Sequence, residues 1–353
     1  MRHFQDTLLT LLLSTTLFIA APVLACTRVV YQGPAGRILT GRSMDWKLEI
    51  LSNLWIFPRG MTRSGAAAGP NSMRWTSKYG SLIVSGYNLS TVDGMNEAGL
   101  VANAQWLVVS QYPENDGKTP RLSLSIWAQY FLDNFATVSE AVEHIRANPF
   151  HVGAGEVPGQ PGRLATIHLS LSDATGDSAI LEWVDGELQI HRSRDYQVMT
   201  NEPVFEQQLA ITSYWQQIDG LSFLPGTSRA TDRFARASFY INAIPQTDDP
   251  RIAAASVFSV MRNVSVPYGI SLSDQPNLST TRWRVVADHK DRLYYFESAI
   301  SPNVFWVDLK KVDFSPNSGV RTLDLGDRQQ VIFSGEVSSQ FVPAEPFVFE
   351  PSD

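Results

Sequence analysis

The 353-residue sequence is poor in cysteine, because Cys26 is the only one. A disulfide within the chain is therefore excluded, and a thiolate metal site would need more cysteines than the chain has. The six histidines show neither H-x-x-x-H nor H-E-x-x-H spacing. No Walker loop, G-x-G-x-x-G fingerprint or G-x-S-x-G elbow is present either. We therefore expect no metal and no cofactor.

The sequence also lacks a surplus of positive charge and, beyond its first 25 residues, any long apolar run. Its formal net charge is −7, with 28 Lys and Arg against 35 Asp and Glu. Phosphate backbones and anionic membranes attract basic surfaces, so a nucleic-acid partner and a polybasic membrane patch are not expected. No later stretch is apolar for long enough to span a bilayer, so we expect no stable membrane insertion.

The first 25 residues have the pattern of a secretory signal peptide. A weakly basic start is followed by a mostly apolar run from Leu8 to Ala21, and Val23-Leu24-Ala25 then offers a cleavage site. The run is short for a transmembrane helix and is interrupted by Ser14-Thr15-Thr16. Removal of residues 1–25 predicts a periplasmic or secreted chain of 353 − 25 = 328 residues. A buried N-terminal helix is the alternative.

The lone cysteine comes directly after this cleavage site, and three interpretations are open. Cys26 could be a small buried hydrophobic residue. It could be a lipidated cysteine, since Val23-Leu24-Ala25-Cys26 loosely resembles a lipobox, and the protein would then be a non-catalytic periplasmic lipoprotein or binding module. It could also be an N-terminal nucleophile, because an α-amine with an ordinary pKa of about 7.7–8.0 is suited to accept the thiol proton.

The order of predicted elements favours an α+β layered domain. Strands come first, helices are predicted over residues 122–135 and 137–145, and four strands follow between 164 and 200. Helices are then predicted over 231–244 and 252–261, and strands over 283–287, 293–297 and 304–308. This order lacks the alternation of a doubly wound parallel sheet. No linker or repeat is visible, so residues 26–353 are predicted to form one domain.

Several short blocks, in order along the chain, resemble the cholylglycine hydrolase family, which includes bile salt hydrolases and penicillin V acylases. The blocks are Cys26-Thr27-Arg28, Gly41-Arg42-Ser43-Met44-Asp45, Asp93-Gly94-Met95-Asn96-Glu97-Ala98-Gly99-Leu100, Thr200-Asn201-Glu202-Pro203 and Ala230-Thr231-Asp232-Arg233-Phe234. The resemblance implies a four-layer αββα sandwich of the N-terminal nucleophile hydrolase type. It also implies hydrolysis of a linear amide through a thioester on Cys26.

Roles for four further residues follow from the resemblance. Arg42 is similar to the arginine beside the nucleophile, where a cation should lower the thiol pKa. Asp45 is similar to the carboxylate that orients the α-amine, and Asn201 to the amide that donates to the oxyanion. Arg233 is similar to the second arginine of the site. A surface ion pair, a turn residue and an exposed helix pair are the alternatives for these residues.

Two tryptophans beside the motif residues are candidate substrate-binding residues. Trp46 follows Asp45, and Trp106 stands where the family carries a second oxyanion donor. An indole N–H can donate one hydrogen bond, but Trp106 could instead form a wall of the acyl pocket. The pattern resembles the Gram-negative branch of the family, which implies penicillin V or N-acyl homoserine lactones as small-molecule N-acyl amide substrates. Bile salts are the alternative, and the family also implies a possible homotetramer.

Overall fold

The structure is a computed structural model that describes residues 26–270 and 279–353. The predicted signal peptide, residues 1–25, lies outside the described residues. The helices are α1 (Leu124–Asn134), α2 (Val138–Ala147), α3 (Phe205–Gln216), α4 (Ala230–Ala243) and α5 (Pro250–Asn263). The strands are β1 (Thr27–Gln32), β2 (Ile38–Trp46), β3 (Leu54–Phe57), β4 (Thr62–Ser64), β5 (Arg74–Thr76), β6 (Ser81–Gly86), β7 (Ser90–Asn96), β8 (Val101–Trp106), β9 (Arg121–Ser123), β10 (His151–Gly153), β11 (Ile167–Ser172), β12 (Ser178–Val184), β13 (Glu187–Arg192), β14 (Val198–Met199), β15 (Thr280–Asp288), β16 (Leu293–Ser298), β17 (Val304–Asp308), β18 (Arg321–Leu323), β19 (Gly335–Glu336) and β20 (Val342–Pro343).

Two large sheets carry most of these strands. The first has seven strands in the order β14-β1-β2-β15-β16-β17-β19, and the second has nine in the order β13-β12-β11-β8-β7-β6-β3-β18-β20. Helices α4 and α5 pack on β1, β2 and β15 of the first sheet, whereas α1 and α2 pack on β7, β8 and β12 of the second. The layers are therefore helix, sheet, sheet, helix, which confirms the predicted αββα sandwich.

Three apolar clusters separate these layers. One lies between the sheets and contains Cys26, Trp46 and Trp106. A second lies between the nine-stranded sheet and α1 and α2, and a third lies between the seven-stranded sheet and α4 and α5. Gly41 of β2 shows how closely the third is packed, because a Cβ there would lie 2.7 Å from Val257 Cγ1 of α5. Strand β2 is thus closely packed on the face that meets α5.

The Thr137-x-x-Glu140 pattern at the start of α2 forms a capping box in altered form. The Thr137 side chain accepts a hydrogen bond from Glu140 N at 3.2 Å, as the Thr-x-x-Glu pattern predicts. The Glu140 carboxylate, however, accepts from the backbone N of Ala136, one residue before the cap, at 2.9 Å. Both contacts satisfy N–H groups near the helix start, so α2 begins where the sequence indicates.

Helix α3 and strand β4 are among the elements that the sequence did not predict. Helix α3 was missed because its apolar residues do not form one buried stripe: Leu209, Ile211 and Tyr214 are exposed, whereas Gln208 and Thr212 are buried. Strand β4 lies inside residues 59–72, whose Gly- and Ala-rich composition is typical of a loop. It forms only a three-residue pairing with β5, too short for a period-two pattern to be visible.

Candidate active site

Cys26 and Arg42 face the space between the sheets because of how β1 pairs with β2. Thr27 lies opposite Ser43 and Arg28 opposite Arg42, so Cys26 at the head of β1 adjoins Met44. Paired residues of an antiparallel ladder point to the same face. The Arg28 guanidinium donates to the carbonyl of Leu171 in the other sheet, so this face looks into the sandwich.

Asp45 and Arg233 approach Cys26 from the opposite face of the same sheet. Arg233 of α4 donates from Nη1 to the Cys26 carbonyl at 2.5 Å and to Thr27 Oγ1 at 2.6 Å. The Asp45 carboxylate accepts hydrogen bonds from the hydroxyls of Ser43 and Thr281. Because Cys26 is the first residue before the ladder begins, groups on both faces of the sheet can approach it.

Asn201 links the backbone of Cys26 to Arg233. Its Oδ1 accepts from Cys26 N at 2.5 Å and from Arg233 Nη2 at 2.8 Å, and its Nδ2 donates to the Trp106 carbonyl at 2.7 Å. In the full-length chain Cys26 N is the amide of the Ala25–Cys26 bond, and cleavage there would turn it into an α-amine. An asparagine amide has two N–H groups, so one stays available for an oxyanion.

The end of β8 supplies carbonyl groups that hold Arg42 and Asn201. Pairing between β7 and β8 runs only as far as Asn103, so the last residues of β8 have no β7 partner on that side. The Ala104 carbonyl accepts from Arg42 Nη2 at 2.8 Å, and the Trp106 carbonyl accepts from Asn201. The difference in strand length thus converts backbone acceptors into supports for two site residues.

Arg42 lies beside the thiol but does not make it acidic. Arg42 Nη2 is 4.0 Å from Cys26 Sγ, and Sγ is 3.8 Å from the Asp45 carbonyl oxygen. Burial raises the pKa of the Cys26 thiol above its ordinary value, and the attraction of Arg42 is the largest opposing influence. The sequence-based expectation of a lowered thiol pKa is therefore corrected: Arg42 acts in that direction, but desolvation of the fully buried thiol outweighs it.

The pKa of the Asp45 carboxyl is raised toward neutrality. It is fully buried, and burial raises its pKa to about 6 despite the opposing attraction of Arg233 and the hydrogen bonds from Thr281 and Ser43. The sequence indicated that Asp45 would orient the α-amine. In the full-length chain the nitrogen of Cys26 bonds to Asn201 instead, and the influence of Asp45 on Cys26 is exerted through its charge and its backbone carbonyl.

Asp93 faces the other side of Arg42 and was given no role from the sequence. Its carboxylate lies 3.8 Å from Arg42 Nε and accepts from Asn103 Nδ2 at 2.8 Å and from the Tyr294 hydroxyl at 2.6 Å. The Trp283 ring covers the same guanidinium at 4.6 Å. Asp93 belongs to one of the resemblance blocks, and an aspartate in a buried strand was the signal that could have identified it.

An apolar cleft leads to the thiol. It has about 820 Å³ of empty volume, including its open mouth. Its lining combines the site residues with mostly apolar side chains from both sheets and the loops around them: Cys26, Arg42, Met44, Trp46, Ile50, Tyr87, Val92, Gln105, Trp106, Val157 and Ile167. A deep apolar cleft with a few polar groups at one point is typical of a small-molecule site.

The two candidate substrate-binding tryptophans form a pair in this cleft. Their ring centroids are 5.3 Å apart at an interplanar angle of 46°. The Trp46 indole N–H donates to the Tyr87 hydroxyl at 2.6 Å, whereas the Trp106 indole N–H has no partner among the described residues. It is the backbone carbonyl of Trp106 that contacts Asn201, so the ring is free to form a wall of the cleft.

Gln105 is a second residue that sequence analysis did not select. It lines the cleft and is almost fully buried, yet neither atom of its amide has a hydrogen-bond partner within residues 26–270 and 279–353. A buried amide without partners is unusual, because its desolvation is not compensated.

The described residues contain neither a group of metal-binding side chains nor a membrane-spanning helix. Within residues 26–270 and 279–353, no group of three or more His, Cys, Asp and Glu side chains is placed to hold a metal ion. In the same part of the chain, no helix is long and apolar enough to cross a membrane.

Residues 26–327 match a family described as "Linear amide C-N hydrolases, choloylglycine hydrolase family", and the match begins at Cys26. The chain is also 52% identical over 352 residues to "Penicillin V acylase" from Pectobacterium atrosepticum, with 94% of this chain and 93% of the relative covered.

Solved structures show the same likeness. A penicillin V acylase from Agrobacterium tumefaciens is 59% identical, with a TM-score of 0.86 over 92% of this chain and 100% of that one. A variant of conjugated bile acid hydrolase from Clostridium perfringens is only 22% identical but has a TM-score of 0.73 over 86% of this chain and 98% of that one. At that identity the second likeness concerns the fold alone.

Proposed function

The chain belongs to the choloylglycine hydrolase family of linear amide C–N hydrolases and is penicillin V acylase-like; from that premise we propose that it hydrolyses N-acyl amides with Cys26 as an N-terminal nucleophile. The observation that carries the proposal is the position of Cys26. Its thiol lies at an apolar cleft, while its backbone nitrogen bonds to Asn201 on the side of Arg233. Cleavage after Ala25 would place a thiol and a free amine together at that point.

The first chemical step is attack on the substrate carbonyl. The Cys26 sulfur forms a bond to the carbonyl carbon, and the thiol proton passes to the α-amine. The second N–H of Asn201 stabilises the oxyanion that develops. The tetrahedral intermediate then collapses, the α-ammonium returns its proton to the departing nitrogen, and a thioester remains on Cys26.

Hydrolysis of the thioester reverses these roles. The α-amine takes a proton from water, and the hydroxide oxygen bonds to the carbonyl carbon. The carbon–sulfur bond then breaks, the α-ammonium returns its proton to the departing sulfur, and the carboxylic acid leaves with the thiol and the neutral amine restored. The raised thiol pKa supports a base of this kind, because a buried thiol beside Arg42 alone stays protonated near neutrality. Arg233 anchors the carbonyl of Cys26, so the amine and the thiol keep their geometry through both steps.

Phenoxymethylpenicillin and N-acyl homoserine lactones are the proposed substrates. Both carry an apolar acyl group on an amide nitrogen, and the paired rings of Trp46 and Trp106 offer an aromatic wall for it. The similarity to penicillin V acylase from Pectobacterium atrosepticum supports phenoxymethylpenicillin as a substrate. Conjugated bile salts are the alternative, and relative turnover of phenoxymethylpenicillin and taurocholate separates the two.

The position of Cys26, which supports its role as the nucleophile, also supports export of the protein. Residues 1–25 have signal-peptide composition, and the family match begins at Cys26, directly after the proposed cleavage site. The product would be a periplasmic or secreted enzyme. Lipidation of Cys26 would block both its thiol and its amine, so a lipoprotein could not use this mechanism.

A matched pair of purified chains tests the proposal. One begins at Cys26 and the other at Ala25, and they differ by a single alanine. We expect the first to release 6-aminopenicillanic acid from phenoxymethylpenicillin and the second to be inactive, because its Cys26 nitrogen is locked in a peptide bond. Equal turnover by the two chains would show that the α-amine is not the base.

A further inference from the structure

The last residues of the chain form a strap along the catalytic cleft. We define the C-terminal strap as residues 349–353. Its backbone pairs with residues 66–68, since Ser352 N donates to the Ala66 carbonyl at 2.9 Å and Ala68 N donates to the Ser352 carbonyl at 2.8 Å. Glu350 N donates to the Leu89 carbonyl at 2.9 Å. The strap is therefore fixed at both its start and its end.

Glu350 connects the strap to the wall of the cleft. Its carbonyl accepts hydrogen bonds from the hydroxyls of Ser123 and Ser125, each at 2.7 Å. Leu89, Ser123, Ser125 and Glu350 all line the cleft. Ser123 also caps the N-terminus of α1, so the strap closes on a rigid element. The strap thus forms part of the cleft wall.

A glycine allows this close approach. A Cβ on Gly155, which also lines the cleft, would lie 2.8 Å from the Pro351 carbonyl oxygen and 3.1 Å from Glu350 Cγ. The first distance is shorter than ordinary non-bonded contact, so the strap fits here only against bare backbone. Such a fit indicates a defined position for Glu350.

Aromatic packing before the strap sets which side chain faces the cleft. The Phe347 ring packs against Trp55 at 5.2 Å and against Phe349 at 4.9 Å, in the cluster beneath the nine-stranded sheet. In extended chain successive side chains point to opposite sides. Burial of Phe349 in that cluster therefore directs the next side chain, Glu350, toward the cleft.

We propose that the C-terminal strap sets the size of the acyl group that this hydrolase accepts, with Glu350 as the residue that limits it. The inference rests on the proposed function. The cleft is apolar along Met44, Trp46, Ile50, Val92 and Val157, which favours an acyl chain. A chain long enough to reach Glu350 must displace water from a carboxylate and offers no hydrogen bond in return.

The strap lies apart from the residues proposed to carry the chemical step. The family match ends at residue 327, so the strap lies beyond it. Among the described residues, none of its hydrogen bonds goes to Cys26, Arg42, Asp45, Asn201 or Arg233. Changes in the strap should therefore alter the choice of acyl group without altering the chemical step.

The test compares acyl selectivity in Glu350→Leu, a chain ending at Phe349, and the control Glu345→Leu. Glu345 is exposed and lies outside the cleft, so the control makes the same chemical change in the same segment. The substrates are phenoxyacetyl and a series of lengthening linear acyl groups, all on 6-aminopenicillanic acid. The readout is kcat/KM for the longest chain divided by that for phenoxyacetyl.

We expect this ratio to rise about tenfold in Glu350→Leu and in the shortened chain, and to stay unchanged in Glu345→Leu. A ratio that stays at the wild-type value in Glu350→Leu, with wild-type thermal unfolding, would overturn the inference even if the shortened chain fails to fold. Failure of the wild-type chain to hydrolyse any member of the series would instead overturn the proposed function.

Discussion

Around Cys26 the cleft borders a group of buried charges, of which Arg42 lines it, whereas at the strap the cleft is lined by the half-buried Glu350. Arg42, Asp45 and Arg233 are at most 1% exposed, and Asp45 and Arg233 are held through several hydrogen bonds to strands and helices of the sandwich. Glu350 is held through its backbone and is half-buried in the wall of the cleft. The groups around Cys26 are thus fixed by side-chain hydrogen bonds, whereas the limit on acyl size depends on a residue whose hydrogen bonds, within residues 26–270 and 279–353, are made by its backbone.

This difference separates two kinds of change. Buried charges that depend on one another cannot be altered singly without leaving an uncompensated charge, which costs more than an ordinary contact. A residue of the cleft wall that makes no hydrogen bond to these charges can be replaced with little effect on the rate of the chemical step. Substitutions at the nucleophile should therefore lower turnover, and substitutions along the cleft should redistribute it among substrates.

The largest effect is expected for Cys26→Ser. A buried serine hydroxyl is a much weaker nucleophile than a thiol, so kcat for phenoxymethylpenicillin should fall by about 10⁴-fold or more. Thermal unfolding should stay near that of the wild type, because the two side chains are similar in size. Turnover within about tenfold of wild type would remove the nucleophile assignment.

Asn201→Ala should have the next largest effect. It removes the proposed oxyanion donor together with the contacts to Cys26 N and Arg233, so kcat should fall by about 10²–10³-fold. Asn242→Ala, at an exposed position of α4, is the matched control and should leave kcat unchanged. If Asn201→Ala raised only KM, the residue would bind substrate rather than stabilise the oxyanion.

Asp93→Asn tests whether the charge of Asp93 stabilises the buried Arg42 guanidinium. Loss of the charge that faces Arg42 leaves a buried cation uncompensated, and we expect kcat/KM to fall by about 10–100-fold. Tyr294→Phe removes one hydrogen bond to Asp93 but keeps its charge, so its effect should be smaller. Equal losses in the two variants would indicate that packing rather than charge matters here.

The decline of kcat/KM at acid pH should reflect the protonation of two buried carboxylates, Asp45 and Asp93. Burial raises the pKa values of Asp45 and Asp93 to about 6, so both are ionised above that pH and protonated below it. If both must be ionised, log(kcat/KM) should decline below pH of about 6 with a limiting slope near two protons, and Asp93→Asn should reduce it to about one. An unchanged slope in the variant would show that Asp93 does not titrate in this range.

The smallest effect is expected at the aromatic wall. Trp46→Ala removes one ring of the pair with Trp106, so KM for phenoxymethylpenicillin should rise by about tenfold with a lesser change in kcat. Trp215→Ala, on α3 and outside the cleft, is the control for losing a tryptophan. A fall in kcat with unchanged KM would place Trp46 in the chemical step.

Much of this arrangement could be predicted from sequence, because strand and helix patterns reflect which face is buried. The order of periodic segments indicates an α+β layered domain, and the αββα sandwich is what the resemblance implies. Cys26, Arg42, Asp45, Asn201 and Arg233 lie together, as the resemblance also implied. Helix α3 could not be found, because its exposed apolar residues erase the stripe on which such predictions depend.

Contacts between segments that are distant in the sequence also limited what could be predicted. The role of Asp93 depends on Tyr294, which lies 201 positions away in sequence. The sequence of residues 341–353 has no helical or strand period from which a wall of the cleft could be inferred. The direction of the Cys26 pKa shift depends on burial, which position in the sequence does not reveal. These features are set by packing between layers rather than by local pattern.

The most direct test of the central claim is the intact mass of the exported protein, measured before and after iodoacetamide with and without phenoxymethylpenicillin. We expect a chain that begins at a free Cys26, takes up one carbamidomethyl group and is protected from alkylation by substrate. A chain that carries lipid on Cys26, or that still holds residues 1–25 while active, would contradict the N-terminal nucleophile account.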